Sequence, residues 1–202
     1  MPPELQADPS VTPHEFWVVL SQNPTAHLAL HWAWAAGGII GLAAVPAISQ
    51  LVRAGNEGWV HWGSALAYLG FAVNARSHFM EVAFDRKIIP IYLQSDPATQ
   101  KAVHVVAGLA LDIPDGLITY GGIGLWVFVV SVLALRTRIL PRLLCYVGIL
   151  TAISYWLGVV GYTFLIQPLV VISIGLGGLI LAPIWYIWIG LRSRSAGQTQ
   201  QS

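Results

Sequence analysis

The sequence predicts an all-α integral membrane protein with five transmembrane helices and one or two short interfacial or re-entrant helices. Only 9% of its 202 residues are charged, whereas soluble proteins carry about 25%. Hydrophobic residues make up 56% of the chain, and the mean hydropathy is +0.68. One cysteine, Cys145, cannot form an intramolecular disulfide. These observations exclude soluble, disordered and disulfide-stabilised classes.

The apolar residues are gathered in runs that are long enough to cross a hydrocarbon core, which takes about 20 helical residues. Charged residues or helix-capping residues separate the runs. We therefore interpret residues 1–192 as one transmembrane helical domain and residues 193–202 as a disordered cytoplasmic tail. The predicted spans cover residues 26–52, 59–84, 116–135, 141–165 and 168–191.

Two shorter helices are predicted outside these spans. Thr12 and Glu15 have the spacing of a capping box around a proline, which predicts a short interfacial helix over residues 13–21. Residues 102–135 are almost continuously apolar, but one helix of that length would be about 50 Å long and exceed the bilayer. Because Pro114 disrupts helices, we expect a break between Asp112 and Gly116. Residues 97–111 then form a helix too short to span, which lies in the interface or re-enters.

The distribution of cations predicts the orientation. No lysine or arginine precedes Arg53, so the N-terminus is expected outside a cell membrane and the C-terminus in the cytoplasm. An aromatic belt at the inner edge is expected just before Arg192, formed by Trp185, Tyr186 and Trp188. The N-terminus lacks the basic region of a signal peptide. Since the cations are scattered, no nucleic-acid partner is expected, and the lipid bilayer is the predicted environment.

Polar side chains lie on one face of the second span, because residues three or four apart on a helix point in similar directions. The first span has a similar stripe, with His27 and His31 at its outer end. The two spans are antiparallel, so the stripes can meet, and the short helix and the break at Pro114 add residues at the same level. The predicted outer-leaflet cluster comprises His27, His31, Asn74, His78, Glu81, Asp85, His104, Asp112 and Asp115.

Metal binding is the first chemistry that this cluster fits. Imidazoles at positions i and i+4 share one helix face, and a His-x-x-Glu pair adds an oxygen donor one turn away. Zinc or iron would suit such ligands. The predicted metal ligands are His27, His31, His78, His104 and Glu81.

Two other chemistries fit as well. A b-type haem needs axial histidines from facing helices, and His31 with His78 or His104 would supply them, with Asn74 nearby. Acid–base chemistry on a lipophilic small molecule needs buried carboxyl groups, since burial favours the protonated acid. The residues expected to act as acids or bases are Glu81, Asp85, Asp112 and Asp115.

Other interpretations of the chain remain open. The cluster is equally consistent with a hydrated polar rim at the helix ends. Glycine-rich segments at 121–124 and 175–178 lie inside spans, so they predict helix-packing faces and not phosphate loops. Such faces would suit a non-catalytic accessory or assembly subunit in a homo- or hetero-oligomer. A proton or cation transporter would use the same carboxylates, with Pro114 breaking a helix.

The C-terminal half carries two segments that invite comparison with a family. Residues 136–150 read RTRILPRLLCYVGIL, and the fifth span ends in PIWYIWIGLR. These segments resemble an uncharacterised bacterial family of small multi-spanning membrane proteins, in which a basic Leu-Pro-Arg loop leads into an apolar span. The resemblance covers about residues 116–194, and it implies a bacterial cytoplasmic membrane without an assigned activity.

Overall fold

The computed structural model describes residues 13–111 and 113–198. Within these ranges the chain forms helices joined by short turns, and no strand occurs. The prediction of an all-α protein is therefore confirmed. The helices are α1 (Pro13–Gln22), α2 (Pro24–Leu51), α3 (Glu57–Gln94), α4 (Pro97–Leu111), α5 (Ile113–Thr137), α6 (Arg142–Phe164), α7 (Gln167–Ile172) and α8 (Ala182–Gln198), with a π-helical segment (Ser173–Leu181) between α7 and α8.

Four helical segments in the described part of the chain are long and apolar enough to cross a membrane. They correspond to the first, third, fourth and fifth predicted spans. The second predicted span, residues 59–84, lies within α3, a single helix of 38 residues. The count of five is not supported, because no stretch of α3 long enough to cross is sufficiently apolar. The four segments are Pro24–Leu51, Gly116–Thr137, Arg142–Phe164 and Gln167–Arg192.

The two short helices, α1 and α4, form where the sequence predicts them. Asp96 caps α4: its carboxylate accepts the backbone N–H groups of Ala98 and Thr99 at 3.0 and 3.2 Å. It also accepts the Thr99 hydroxyl at 2.7 Å. These hydrogen bonds, led by that of the Thr99 hydroxyl, hold the pKa of the Asp96 carboxyl below its usual range. They satisfy donors that the first helical turn leaves unpaired.

The start of α5 and the end of α8 can be compared with the boundaries that the sequence predicts. Helix α4 ends at Leu111 and α5 begins at Ile113, and Asp112, where we expected a break to begin, lies outside the described residues. Helix α8 continues to Gln198, so residues 193–198 are helical where the sequence predicts a disordered tail. Because no proline follows Pro183, nothing in the sequence forces this helix to end earlier.

Contacts divide the chain into two compact units, where the sequence predicts one domain. Unit 1 comprises Met1–Ile40 and Ala72–Asp115, and unit 2 comprises Gly41–Phe71 and Gly116–Ser202. Helices α2 and α3 therefore contribute one half to each unit. Hydropathy does not reveal this division, because the hydropathy of an apolar helix is similar along its length and does not depend on which helices it contacts.

The core of unit 2 is built around Trp126, which is fully buried. Its ring packs edge-on against Phe71 and Trp185, with centroids 6.1 and 5.8 Å away. Its Nε1 donates a hydrogen bond to the Ser49 hydroxyl at 2.9 Å. Trp185 is also fully buried, whereas Tyr186 and Trp188, which we expected beside it in an interfacial belt, are partly buried. The Trp126 ring covers the Trp185 ring, which a position at the membrane–water interface would leave partly exposed.

The last candidate span is not α-helical throughout. Pro183 predicts a kink, and the structure has the π-helical segment just before this proline. Proline lacks an N–H and crowds the carbonyl four residues earlier, so wider turns relieve the conflict. Gly177 in this segment lies so close to α6 that a Cβ would be 2.6 Å from the Ser154 hydroxyl. Only glycine fits this contact without movement.

Candidate metal centre

Helices α2 and α3 bring most of the predicted cluster together within unit 1. His27 and His31 are one turn apart on α2, with ring centroids separated by 4.2 Å. Asp85 and His78 on α3 each contact one of these histidines. His27, His31 and Asp85 are only 3–5% exposed. The structure therefore places the polar stripes of the two helices against each other, as their shared periodicity predicts.

His27 and Asp85 form the closest pair of this site. The His27 Nε2 atom lies 2.9 Å from Asp85 Oδ2. Nevertheless neither atom forms a hydrogen bond within the described residues, because the pair is close without being aligned. His27 Nδ1 is buried without a hydrogen-bond partner as well. Buried polar atoms are normally hydrogen-bonded, so these atoms have hydrogen-bonding capacity that the described residues do not use.

His31 is held by His78. Their Nδ1 atoms are 3.0 Å apart, a hydrogen bond in which one ring donates and the other accepts. The His78 ring in turn stacks on Trp34, with centroids 5.9 Å apart and an interplanar angle of 24°. This arrangement fixes the orientation of His31, whose Nε2 is buried and has no hydrogen-bond partner among the described residues.

Three side chains converge closely enough to hold an ion. Ligand atoms of His27, His31 and Glu81 all lie within 4.8 Å of one another. Ligands on one zinc ion, with bonds of about 2.0–2.2 Å, are about 3–4 Å apart. Movements of about an ångström would therefore bring all three atoms onto one ion. Two imidazoles and one carboxylate are ligands that zinc and ferrous iron accept.

Two predicted site residues make other contacts. The Asn74 amide donates a hydrogen bond to the Trp34 carbonyl at 3.0 Å, which ties α3 to α2. His104 Nδ1 accepts a hydrogen bond from Trp17 Nε1 at 3.3 Å. Neither residue is a member of the group with ligand atoms within 4.8 Å. Asn74 thus positions the helix backbone, and His104 contacts α1.

The side chains of two predicted acidic residues are not described, and one buried aromatic residue was not among the predicted site residues. Asp112 lies outside the described residues, and so does the side chain of Asp115. The sequence does not single out Trp17, which is 3% exposed and stacks on Tyr92 with centroids 5.2 Å apart. No local pattern could reveal this role, because Trp17 contacts Tyr92 and His104, both more than 70 positions away, as well as its neighbour Phe16.

No protein-family model, curated protein or solved structure matches the chain. The resemblance of residues 116–194 to a bacterial family therefore stays a prediction. The fold and the site together define a class: a helical protein with four candidate membrane-spanning helices and a buried cluster of histidines and carboxylates.

Proposed function

We propose that this chain is a multi-pass bacterial membrane protein that binds a zinc or iron ion between helices α2 and α3. The convergence of His27, His31 and Glu81, with ligand atoms within 4.8 Å of one another, carries the proposal. The two histidines are buried, and polar groups are costly inside an apolar helix bundle unless they bind a partner. A bound ion would offset that cost.

The hydrogen-bond pattern supports a particular choice of ligand atoms. His31 uses Nδ1 for His78, which leaves Nε2 for an ion. His27 has Nε2 next to Asp85, which leaves Nδ1. Metal-binding histidines commonly have a carboxylate or another acceptor at the second ring nitrogen, which fixes the tautomer and the ring orientation. Asp85 and His78 lie where such orienting groups belong.

Three protein ligands leave coordination positions open. An ion with three protein ligands keeps at least one position for water or a small molecule, as catalytic zinc sites do. When bound, such an ion would act as a Lewis acid toward that molecule. The side chains of this protein would hold the ion, exclude bulk water through the surrounding apolar helices, and provide Asp85 as a nearby proton acceptor.

The same geometry argues against a haem bound by His31 and His78. Two nitrogens on opposite sides of one iron would be about 4 Å apart, twice a metal–nitrogen bond of about 2.0 Å, with the porphyrin between them. The Nδ1 atoms of this pair are 3.0 Å apart and bonded to each other. We therefore propose an ion without a porphyrin.

We include α3 as a membrane-spanning helix in addition to the four candidate spans, which makes five. At 1.5 Å per residue, its 38 residues are about 57 Å long, which exceeds a hydrocarbon core of about 30 Å. Two of its polar side chains, His78 and Asp85, contact histidines of α2 and need not face lipid. The absence of cations before Arg53 supports an outer N-terminus and a cytoplasmic C-terminus. The cluster would then lie near the outer leaflet.

Acid–base chemistry on a lipophilic molecule is the second candidate function. The observation in its favour is the close approach of His27 and Asp85, both buried, at 2.9 Å. Such a pair can hold and transfer a proton without a metal. Metal content separates the two candidates, because only the first requires a bound ion.

Metal analysis of protein purified in detergent tests the proposal. After loading with zinc, or with ferrous iron under anaerobic conditions, the wild type should hold about one ion per chain. His31→Ala and Glu81→Gln should lose it, while His61→Ala, at an exposed histidine, should keep it. All variants must elute as monodisperse protein. Wild type without stoichiometric zinc or iron, or full occupancy in His31→Ala, would overturn the metal centre.

A further inference from the structure

A pocket of about 350 Å³ lies beside the candidate metal centre, entirely within unit 1. Its polar end is formed by His27, Asp85 and Arg86. Apart from Ser21 of α1, its other lining residues are apolar and include Leu20 of α1 and Leu28 of α2. This volume is within the range of sites that bind small molecules, which are mostly apolar with a few polar groups.

The polar end carries atoms that are available for a ligand. His27 and Asp85 are 97% and 96% buried, corresponding to exposures of 3% and 4%. Asp85 Oδ2 lies 2.9 Å from His27 Nε2 and has no partner with hydrogen-bond geometry within the described residues, and a carboxylate oxygen can accept more than one hydrogen bond. The Asp85 side chain lines the pocket. A bound head group would therefore find a buried polar atom that gains a hydrogen bond from it.

The charges at this end select the head group. Asp85 would repel a carboxylate, and Arg86 would repel an ammonium group. Since each residue also attracts the opposite charge, the two effects oppose each other for a charged head group, which still loses its hydration on burial, whereas a neutral group avoids that cost. A hydroxyl can donate to the Asp85 carboxylate and accept from the Arg86 guanidinium, whereas an alkyl group can do neither.

The volume limits the size of the ligand. At about 30 Å³ per water-sized group, 350 Å³ holds about twelve non-hydrogen atoms. The apolar walls suit an unbranched chain, which the surrounding bilayer can supply to a pocket between membrane helices.

We propose that this pocket binds a small amphiphile with a neutral hydroxyl head and one apolar tail, of the size of a ten-carbon alcohol. The head binds at Asp85 and Arg86, and the tail lies along Leu20 and Leu28. This inference rests on the proposed function for the placement of α2 and α3 in a bilayer. It adds a ligand class next to the ion and does not require the ion to be bound.

Photolabelling in lipid nanodiscs tests the proposal. A decanol analogue with a diazirine in its tail should label peptides that contain Leu20, Leu28 or Ile89, and excess 1-decanol should suppress the labelling. Leu28→Trp should reduce it about tenfold, because an indole fills the space that the tail needs. Leu179→Trp is the matched control, since Leu179 is exposed in unit 2, and it should keep the wild-type labelling.

Competition with charged analogues tests the head group. Decanoate and decylamine should compete more weakly than 1-decanol at equal concentration. Stronger competition by either charged compound, or undiminished labelling in Leu28→Trp, would overturn the proposal.

Metal content measured on the same samples separates the two proposals. Glu81→Gln should lose the ion and keep the labelling, while Leu28→Trp should do the reverse. Labelling without any bound metal in the wild type would refute only the metal centre, and bound metal without pocket labelling would refute only the amphiphile.

Discussion

Replacing Asp85 with asparagine removes one negative charge 2.9 Å from His27 Nε2 while keeping the size of the side chain. Asp85 is 4% exposed, so water does not replace the lost carboxylate. A carboxylate at this position orients a metal-binding imidazole and increases its basicity. The amide can still accept a hydrogen bond through its oxygen, so the substitution tests the charge more than the shape.

The expected loss follows from the position of Asp85 beside a ligand. Removing an outer partner of a metal-binding histidine weakens metal affinity by about 10–100-fold, or about 1.4–2.7 kcal/mol. Asp85→Ala should fall at the upper end of this range, because it also removes the hydrogen-bond acceptor. Glu81→Gln, which removes a direct ligand, should cost more than either.

Competition titration of zinc between the protein in nanodiscs and a chromophoric chelator measures these affinities. Asp96→Asn is the matched control, because Asp96 is an exposed aspartate that caps α4 away from the candidate ligands. Its affinity should equal that of the wild type. Unchanged affinity in Asp85→Asn would refute the assignment of Asp85 as an orienting group. Equal losses in Asp85→Asn and Asp96→Asn would show a nonspecific effect and also refute it.

Three further predictions concern stability. Gly122→Ala should lower Tm, because a Cβ there would lie 2.5 Å from the backbone oxygen of Leu66, and overpacking costs about 1–3 kcal/mol. Gly175→Ala should leave Tm unchanged, since no neighbouring atom lies within 4 Å of its Cβ, and equal shifts in both variants would contradict the argument. Trp126→Ala should destabilise the protein by about 3–5 kcal/mol, because the ring is fully buried, and a near-normal denaturation profile would disprove this. The lowered pKa of Asp96 stabilises α4 above the usual pKa of an aspartate, about 4, and this contribution is lost as pH falls through the lower folded pKa. Hydrogen exchange of α4, corrected for intrinsic rates, should therefore quicken on acidification in the wild type and change less in Asp96→Ala.

Local signals were sufficient to locate most helices. Proline after a short polar residue predicts the starts of α1, α2 and α4, and each of these helices begins at that proline. The apolar runs predict α2, α5 and α6 to within a few residues at each end. These features depend on residues close together in the chain. The periodicity of polar residues also predicts that His27 and His31 share a face with short ring separation.

Contacts between distant residues are the part of the structure that the sequence pattern does not reveal. Trp185 resembles an interfacial residue by its position before the tail, but Trp126 packs against it and buries it. The expected level of His104 near the outer leaflet suggests a fourth metal ligand, but its ring contacts Trp17. The division of α2 and α3 between two units is likewise absent from hydropathy.

By itself, the sequence determined the helical class, the apolar segments long enough to cross a membrane, and the small set of polar residues from which any site must be built. It did so because span length and side-chain periodicity are properties of single helices. Tertiary structure alone decided which of those residues meet. His27, His31 and Glu81 converge, Asp85 and His78 contact the two histidines, and Asn74 bonds to backbone. Which side chains meet depends on how one helix is rotated about its axis relative to the other. The sequence of a single helix does not specify that rotation.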